Sequence, residues 1–209
     1  MSYAEYIKTR VIKWLLDGNM AFDDSRDAIG AEVLFSANRR SADLLIHSQE
    51  FHALEIKGYF DNPGKLKEQL DDYHKTFDKV SVITTSKHLN RILKMVKPYT
   101  GLILFDKENL KVKRLAKQRK RLDKYSLLMF LQKNELKRLS KTKNSNNLST
   151  DEIRRLIVSR LTIGEIRQAA YSSLRNRYYE LFRLFMKDTG GNIIWDELKG
   201  LCGRIDELY

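Results

Sequence analysis

Between Glu32 and Lys57 the chain reads EVLFSANRRSADLLIHSQEFHALEIK, and this stretch most limits the folds open to it. Three β-rich runs, at 33–35, 42–46 and 51–56, are separated by short polar connections, the pattern of consecutive hairpin strands. Charged groups sit inside or beside those runs. Asp43 interrupts an apolar strand, and Glu55 and Lys57 flank Ile56 at the end of the next. Carboxylates are poor strand formers and costly to bury, so the fold has to compensate them.

Hairpin register suggests how. A turn centred near Gln49 sets Asp43 opposite Glu55, and one centred between Ala37 and Asn38 sets Glu32 opposite Asp43. Opposed side chains share a face with Cβ atoms about 4.5–5.5 Å apart. Lys57, two residues beyond Glu55, lies on that face too. One row would then read Glu, Asp, Glu, with a lysine beside it. A slip of one residue would move neighbouring acids to opposite faces. One ammonium cannot neutralise the whole row. A hard divalent cation can, and Mg²⁺ takes one or two carboxylates together with waters and substrate phosphate. Asp43, Glu55 and the Ile56 carbonyl are the candidate ligands. Glu32 would ligate directly, hold a bound water or serve a second ion. Arg39 and Arg40, at the first hairpin, are placed to meet phosphate.

Asp43 followed by Glu55-Ile56-Lys57 resembles the signature of the PD-(D/E)XK nuclease superfamily, an Asp on one strand and acid-x-Lys on the next, with Ala42 in place of the signature proline. The wider segments RSADLLI, LEIKGYFDN and Gln69-Leu70-Asp71-Asp72-Tyr73 resemble a group of small bacterial and phage nuclease-like proteins. The Gln-x-x-x-Tyr spacing is similar to the helix motif of RecB-type members. The likeness covers about residues 5–106 and does not reach the C-terminal half. It implies a restriction-endonuclease-like core, Mg²⁺ or Mn²⁺ as cofactor, and catalytic roles for Asp43, Glu55 and Lys57. It also implies that Gln69 and Tyr73 touch the backbone of a nucleic-acid substrate, DNA favoured.

Periodicity leads to the same core independently of those motifs. An amphipathic helix is expected over 3–16, with Val11, Trp14 and Leu15 on its stripe, and a polar loop over 19–31. After the three strands come a helix over 65–77, a strand at 80–84, a helix at 89–96, a strand at 101–105 and an edge segment at 110–112. Helix, three strands, helix, strand is an αβββαβ order. It predicts an α/β fold with a mixed central sheet and helices on both faces. Asp61, in the GYFDNPG break, is a weaker candidate for orienting Lys57 or a water.

Beyond residue 106 basic side chains crowd the chain, and one amphipathic helix is expected over 125–139, followed by a polar linker at 141–147. Capping-box spacings at Ser149/Glu152 and Thr162/Glu165 start helices over 150–160 and 163–187, with a short last helix at 194–201. The expected division is a nuclease-like domain at 1–115, a basic helix and linker at 116–147, and a helical C-terminal module at 148–209. That module could support a homodimer or hold a partner protein.

Formal net charge is +12 and the pI about 9.7, a surface that favours polyanions. No apolar run approaches a membrane span, and the first residues lack a signal peptide's apolar core, so a cytoplasmic location is expected. The single cysteine, Cys202, excludes a disulfide framework and a cysteine-rich zinc site. Three functions follow: a metal-dependent nuclease, a nucleic-acid-binding module of the same fold that does not cut, and a structural protein whose charged row is an ion-pair network.

Overall fold

The N-terminal helix α1 spans Tyr3–Leu16 because Ile7, Val11, Ile12 and Leu15 recur at helical spacing, and all four are fully buried. The strands β1 (Ala28–Leu34), β2 (Ser41–His47) and β3 (Phe51–Lys57) follow. β1 starts earlier than its β-rich residues announce. Ala28, Ile29 and Ala31 are buried, and Gly30 between them masks the strand pattern, so the polar loop ends at Asp27. Both hairpins adopt the register set by their turn centres: Ala31 faces Leu44 and Val33 faces Ala42, while Leu44 faces Leu54 and Leu45 faces Ala53. The structure is a computed structural model describing residues 3–35, 40–119, 121–142, 147–190, 193 and 195–202.

After β3, Asn62 caps a 3-10 turn at Pro63–Lys65 that leads into α2 (Leu66–Thr76). Then come β4 (Lys79–Thr85), α3 (Ser86–Met95), β5 (Gly101–Asp106) and β6 (Asn109–Arg114). The six strands form one sheet in sequence order. β3, β4 and β5 are parallel, and the outer pairs are antiparallel. The mixed sheet has a core on each side. On one, Leu66, Leu70 and Tyr73 of α2 and Ile92 of α3 pack with Val80, Val82 and Leu102. On the other, α1 packs with Leu44, Ile46, Leu54, Ile56 and Ile83.

The helix expected over 125–139 is two helices, α4 (Lys124–Leu128) and α5 (Lys133–Ser140). Gln132 and Glu135 form a capping box, a local start signal that outcompetes continuation of α4. The helices α6 (Thr150–Arg160) and α7 (Ile163–Thr189) carry the two expected capping boxes, and Gly190, at φ 55°, ends α7. A 3-10 turn spans Trp195–Leu201. Residues 143–146 of the expected linker lie outside the described residues.

These helices share the sheet's cores across the boundaries expected from composition. Ile153, Ile157, Ile166, Ala170, Leu174 and Tyr178 join one core, and Phe182, Phe185, Leu198 and Leu201 the other. With 27 residues, α7 is about 40 Å long, enough to pass from one core to the other along β1. Among the described residues, no helix is long and apolar enough to cross a membrane.

Candidate functional site

β2 and β3 stop pairing through their backbones after Leu44 and Leu54. In the gap beyond, Asp43 Oδ2 accepts a hydrogen bond from the Ile56 N–H at 2.6 Å. A carboxylate has taken the place of a ladder carbonyl. The N–H and C=O of a strand residue leave on the same side, so the Ile56 carbonyl is directed toward the same gap.

Glu55 is almost fully buried, and both its oxygens have donors. Lys57 Nζ lies 2.5 Å from Oε1, and the Tyr73 hydroxyl donates to Oε2. The same hydroxyl stands 3.1 Å from the Ser41 carbonyl oxygen. Burial and the adjacent Glu55 carboxylate raise the Tyr73 pKa well above the usual phenol value, so the proton stays on it. The Asp43 carboxyl is pushed up to about 7, first by burial and then by the negative charge of Glu55. Lys8 and the Ile56 N–H act against that rise and do not cancel it.

Lys8, from α1, enters the row from the other side of the sheet. Its ammonium pairs with Glu32 and lies 3.9 Å from Asp43 Oδ1. Glu32 also accepts from the Ser41 hydroxyl at 3.1 Å. Its backbone sits at φ 51°, left-handed for a residue with a side chain, inside a strand whose register is otherwise regular. Such strain costs roughly 1–3 kcal/mol and is typical of functional sites.

The structure thus brings Asp43, Glu55, Lys57 and the Ile56 backbone together, with Glu32 at the edge and turned to Lys8. Among the described residues, no group of three or more His, Cys, Asp or Glu side chains can hold a metal ion. A smaller donor set remains in the gap. Asp43 and Glu55 are two mutually repelling carboxylates beside a carbonyl, and Mg²⁺ is often held by one or two carboxylates with the remainder water.

The outlying candidates are placed differently. Tyr73 is 1% exposed, so it supports Glu55 from below and does not reach over the site to a substrate backbone. Gln69, one turn earlier on α2, is half-buried. Arg40 pairs with Glu68 and, at 3.1 Å, with Asp72, which ties the β1–β2 hairpin to α2. Arg39 lies outside the described residues. Asp61 Oδ2 accepts the Gly58 N–H at 2.7 Å and staples the loop after β3. The four histidines are structural: His47, His52, His74 and His88 bond Tyr171 O, Ser81, Thr100 and Tyr59 O.

Lys8 is the site residue that sequence reasoning missed. Its signal was present: position 8 falls on the buried side of α1, next to Ile7 and one turn before Val11 and Ile12. A lysine there demands an acid partner.

Comparison with known proteins places the chain in a family. Protein cII of Enterobacteria phage P4 is 32% identical over 193 residues, which cover 89% of this chain and 72% of that protein. A solved structure of a protein of unknown function from Silicibacter pomeroyi matches with a TM-score of 0.37 and 13% identity, over 46% of this chain. The match spans 64% of that protein, less than two thirds of its length. A family model described as Bacteriophage P4 protein cII matches residues 2–201, so the chain belongs to the bacteriophage P4 protein cII family.

Proposed function

We propose that this chain is a metal-dependent nuclease hydrolysing phosphodiester bonds of nucleic acid, DNA favoured, built on a restriction-endonuclease-like αβββαβ core. The observation that carries this reading is the gap between β2 and β3, where Asp43, Glu55 and Lys57 converge on the Ile56 backbone. Supporting it are the element order, the strained Glu32 at the edge of the row, and a net charge of +12.

Asp43, Glu55 and the Ile56 carbonyl would hold Mg²⁺ or Mn²⁺. Such an ion polarises the scissile phosphate and lowers the pKa of a coordinated water. The protein's own groups do the rest. Tyr73 keeps Glu55 in one orientation, and the buried pair with Glu55 holds the Lys57 ammonium beside the carboxylates. There it stabilises the negative charge that grows on the phosphoryl oxygens as water attacks and the P–O ester bond breaks. Lys8 offsets part of the acids' repulsion from behind.

A second reading, a binding module that does not cut, is favoured by one observation. Lys8 stands between Glu32 and Asp43, where a third acid would otherwise face the ion. Incubation of linear duplex DNA, circular duplex DNA, single-stranded DNA and RNA with Mg²⁺, Mn²⁺ or EDTA separates the two. Metal-dependent cutting is expected, reduced at least about a hundredfold in Glu55→Gln and Lys57→Ala, the scale of a lost electrostatic contact to the transition state. No cutting of any substrate, with salt-sensitive binding intact, would favour the silent module.

A further inference from the structure

The loop after β3, which begins just beyond Lys57, presents aromatic rings to solvent. Phe60 is 80% exposed and Tyr59 48%, and Tyr3 of α1 is also exposed. Phe60 stands between the other two. Its ring centroid is 5.9 Å from that of Tyr3 and 5.2 Å from that of Tyr59, both in edge-to-face geometry. A single exposed apolar side chain needs no explanation. A braced cluster does, because burying a Phe side chain would contribute about 1.5–3 kcal/mol that the fold forgoes here.

The cluster is held in place. Asp61 accepts the Gly58 N–H at 2.7 Å, and its own N–H donates to the Gly58 carbonyl at 3.2 Å. The Tyr59 carbonyl accepts from Lys87 Nζ at 2.8 Å and faces His88 Nε2 at 3.2 Å. The Lys87 ammonium also lies 4.1 Å from the centre of the Tyr59 ring. Rings fixed in this way keep most of their contact energy for a ligand, because little side-chain freedom is left to lose.

The chain bounds its distance from the site residues. Phe60 follows Lys57 by three residues, a reach of at most about 11 Å of extended chain. Tyr3 precedes Lys8 by five residues on one helix, about 7.5 Å along its axis. A polymer with a phosphate at the carboxylates would therefore pass within reach of Phe60. Bases within a duplex are already stacked on their neighbours, whereas an unpaired base offers a free π-face to an aromatic ring. Lys87, exposed beside the Tyr59 ring, suits the polymer's phosphates.

We propose that Phe60, braced by Tyr3 and Tyr59, is a stacking platform for an unpaired base of single-stranded nucleic acid entering the site. The proposal rests on reading Asp43, Glu55 and Lys57 as the phosphodiester site, and it specifies that site's substrate class.

Binding in EDTA tests it apart from cutting. Short single-stranded oligonucleotides carrying the fluorescent base 2-aminopurine, and blunt duplexes of the same sequence, are titrated with the full chain. The wild type is expected to prefer the single strand and to quench the probe. Phe60→Ala is expected to weaken single-strand binding about tenfold and leave duplex binding unchanged, and Phe60→Trp to restore both affinity and quenching. Wild-type affinity for single strands in Phe60→Ala would overturn the platform. So would an equal loss on both substrates, or an effect on self-association alone in sedimentation, which would make the cluster a protein interface. A parallel assay with Mg²⁺ and Mn²⁺ keeps the two readings distinct. Phe60-dependent single-strand preference without cutting retains the platform and removes the nuclease. Cutting with Phe60→Ala equal to wild type in binding and rate retains the nuclease and removes the platform.

Discussion

Lys8 and Asp43 set the charge balance of the site at the scale of single residues. Lys8 is 6% exposed and reaches both Glu32 and Asp43, so the row holds one more positive charge than its strands supply. Even so, the Asp43 carboxyl stands at about 7, because burial and Glu55 outweigh Lys8. The consequence for stability has a definite sign. Between the ordinary aspartate range and about pH 7, the folded chain keeps a proton that the unfolded chain has released. Asp43's contribution is therefore present at low pH and lost as pH rises through about 7. Asn at this position still accepts the Ile56 N–H and carries no charge. Asp43→Asn is expected to melt above wild type at about pH 8, with the gap closing toward pH 4. On the proposed metal-dependent reading, Mg²⁺ should raise the wild-type Tm at the higher pH and leave that of the variant unchanged. Thermal unfolding with and without the ion measures both, and a wild type more stable than the variant at high pH would contradict this charge balance.

The seating of α7 on β1 is decided by a close approach between elements. A Cβ on Gly30 would lie 2.6 Å from Cδ1 and 2.8 Å from Cε1 of the buried Tyr178 ring. Gly30 is not among the positive-φ residues, so space, not backbone freedom, is what the position requires. Gly30→Ala should destabilise the fold by about 2 kcal/mol, the ordinary cost of overpacking a core. Combined with Tyr178→Leu, which frees the ring's volume, the loss should be less than the sum of the two single changes, as a denaturant-melt double-mutant cycle would read. Strictly additive losses would mean that the two residues do not meet. The end of α7 toward the hairpin is fixed by charge: Arg167 places Nε and Nη2 each 3.1 Å from an oxygen of the buried Asp78, which also accepts the Phe51 N–H at 2.9 Å. The helix ends themselves were legible from sequence, because a Ser or Thr with a Glu three residues on is a local signal. The α4–α5 break was not read, because Gln132 is a weaker capping residue than Ser or Thr.

Three buried histidines link the whole molecule to pH. Burial lowers His52 to about 3 and His74 to about 4, and lowers His47 as well. Below the ordinary imidazole pKa of about 6.5 the unfolded chain binds protons that the folded one refuses, so these groups' contribution is lost as pH falls. Asp43 and Asp27, both raised by burial, act in the opposite sense but are outnumbered. Tm is therefore expected to fall between about pH 6.5 and pH 4, and His52→Gln with His74→Gln to flatten that slope. A Tm that rises on acidification would show that the two acids dominate. By itself the sequence determined the order of elements through the sheet, the register of both hairpins, the helix starts capped by Ser149 and Thr162, and the meeting of Asp43 with Glu55. Each of these follows from periodicity, turn centres or side chains three and four residues apart, and all of that is written locally. Tertiary structure decided the rest: that Lys8 crosses to Glu32, that Tyr73 turns inward to Glu55, that Arg40 is held by α2, and that α7 joins both cores. Those partners are 18 to 28 residues apart where they meet as pairs. No local pattern specifies such a meeting, which depends on how whole faces pack once the sheet has closed over its two cores.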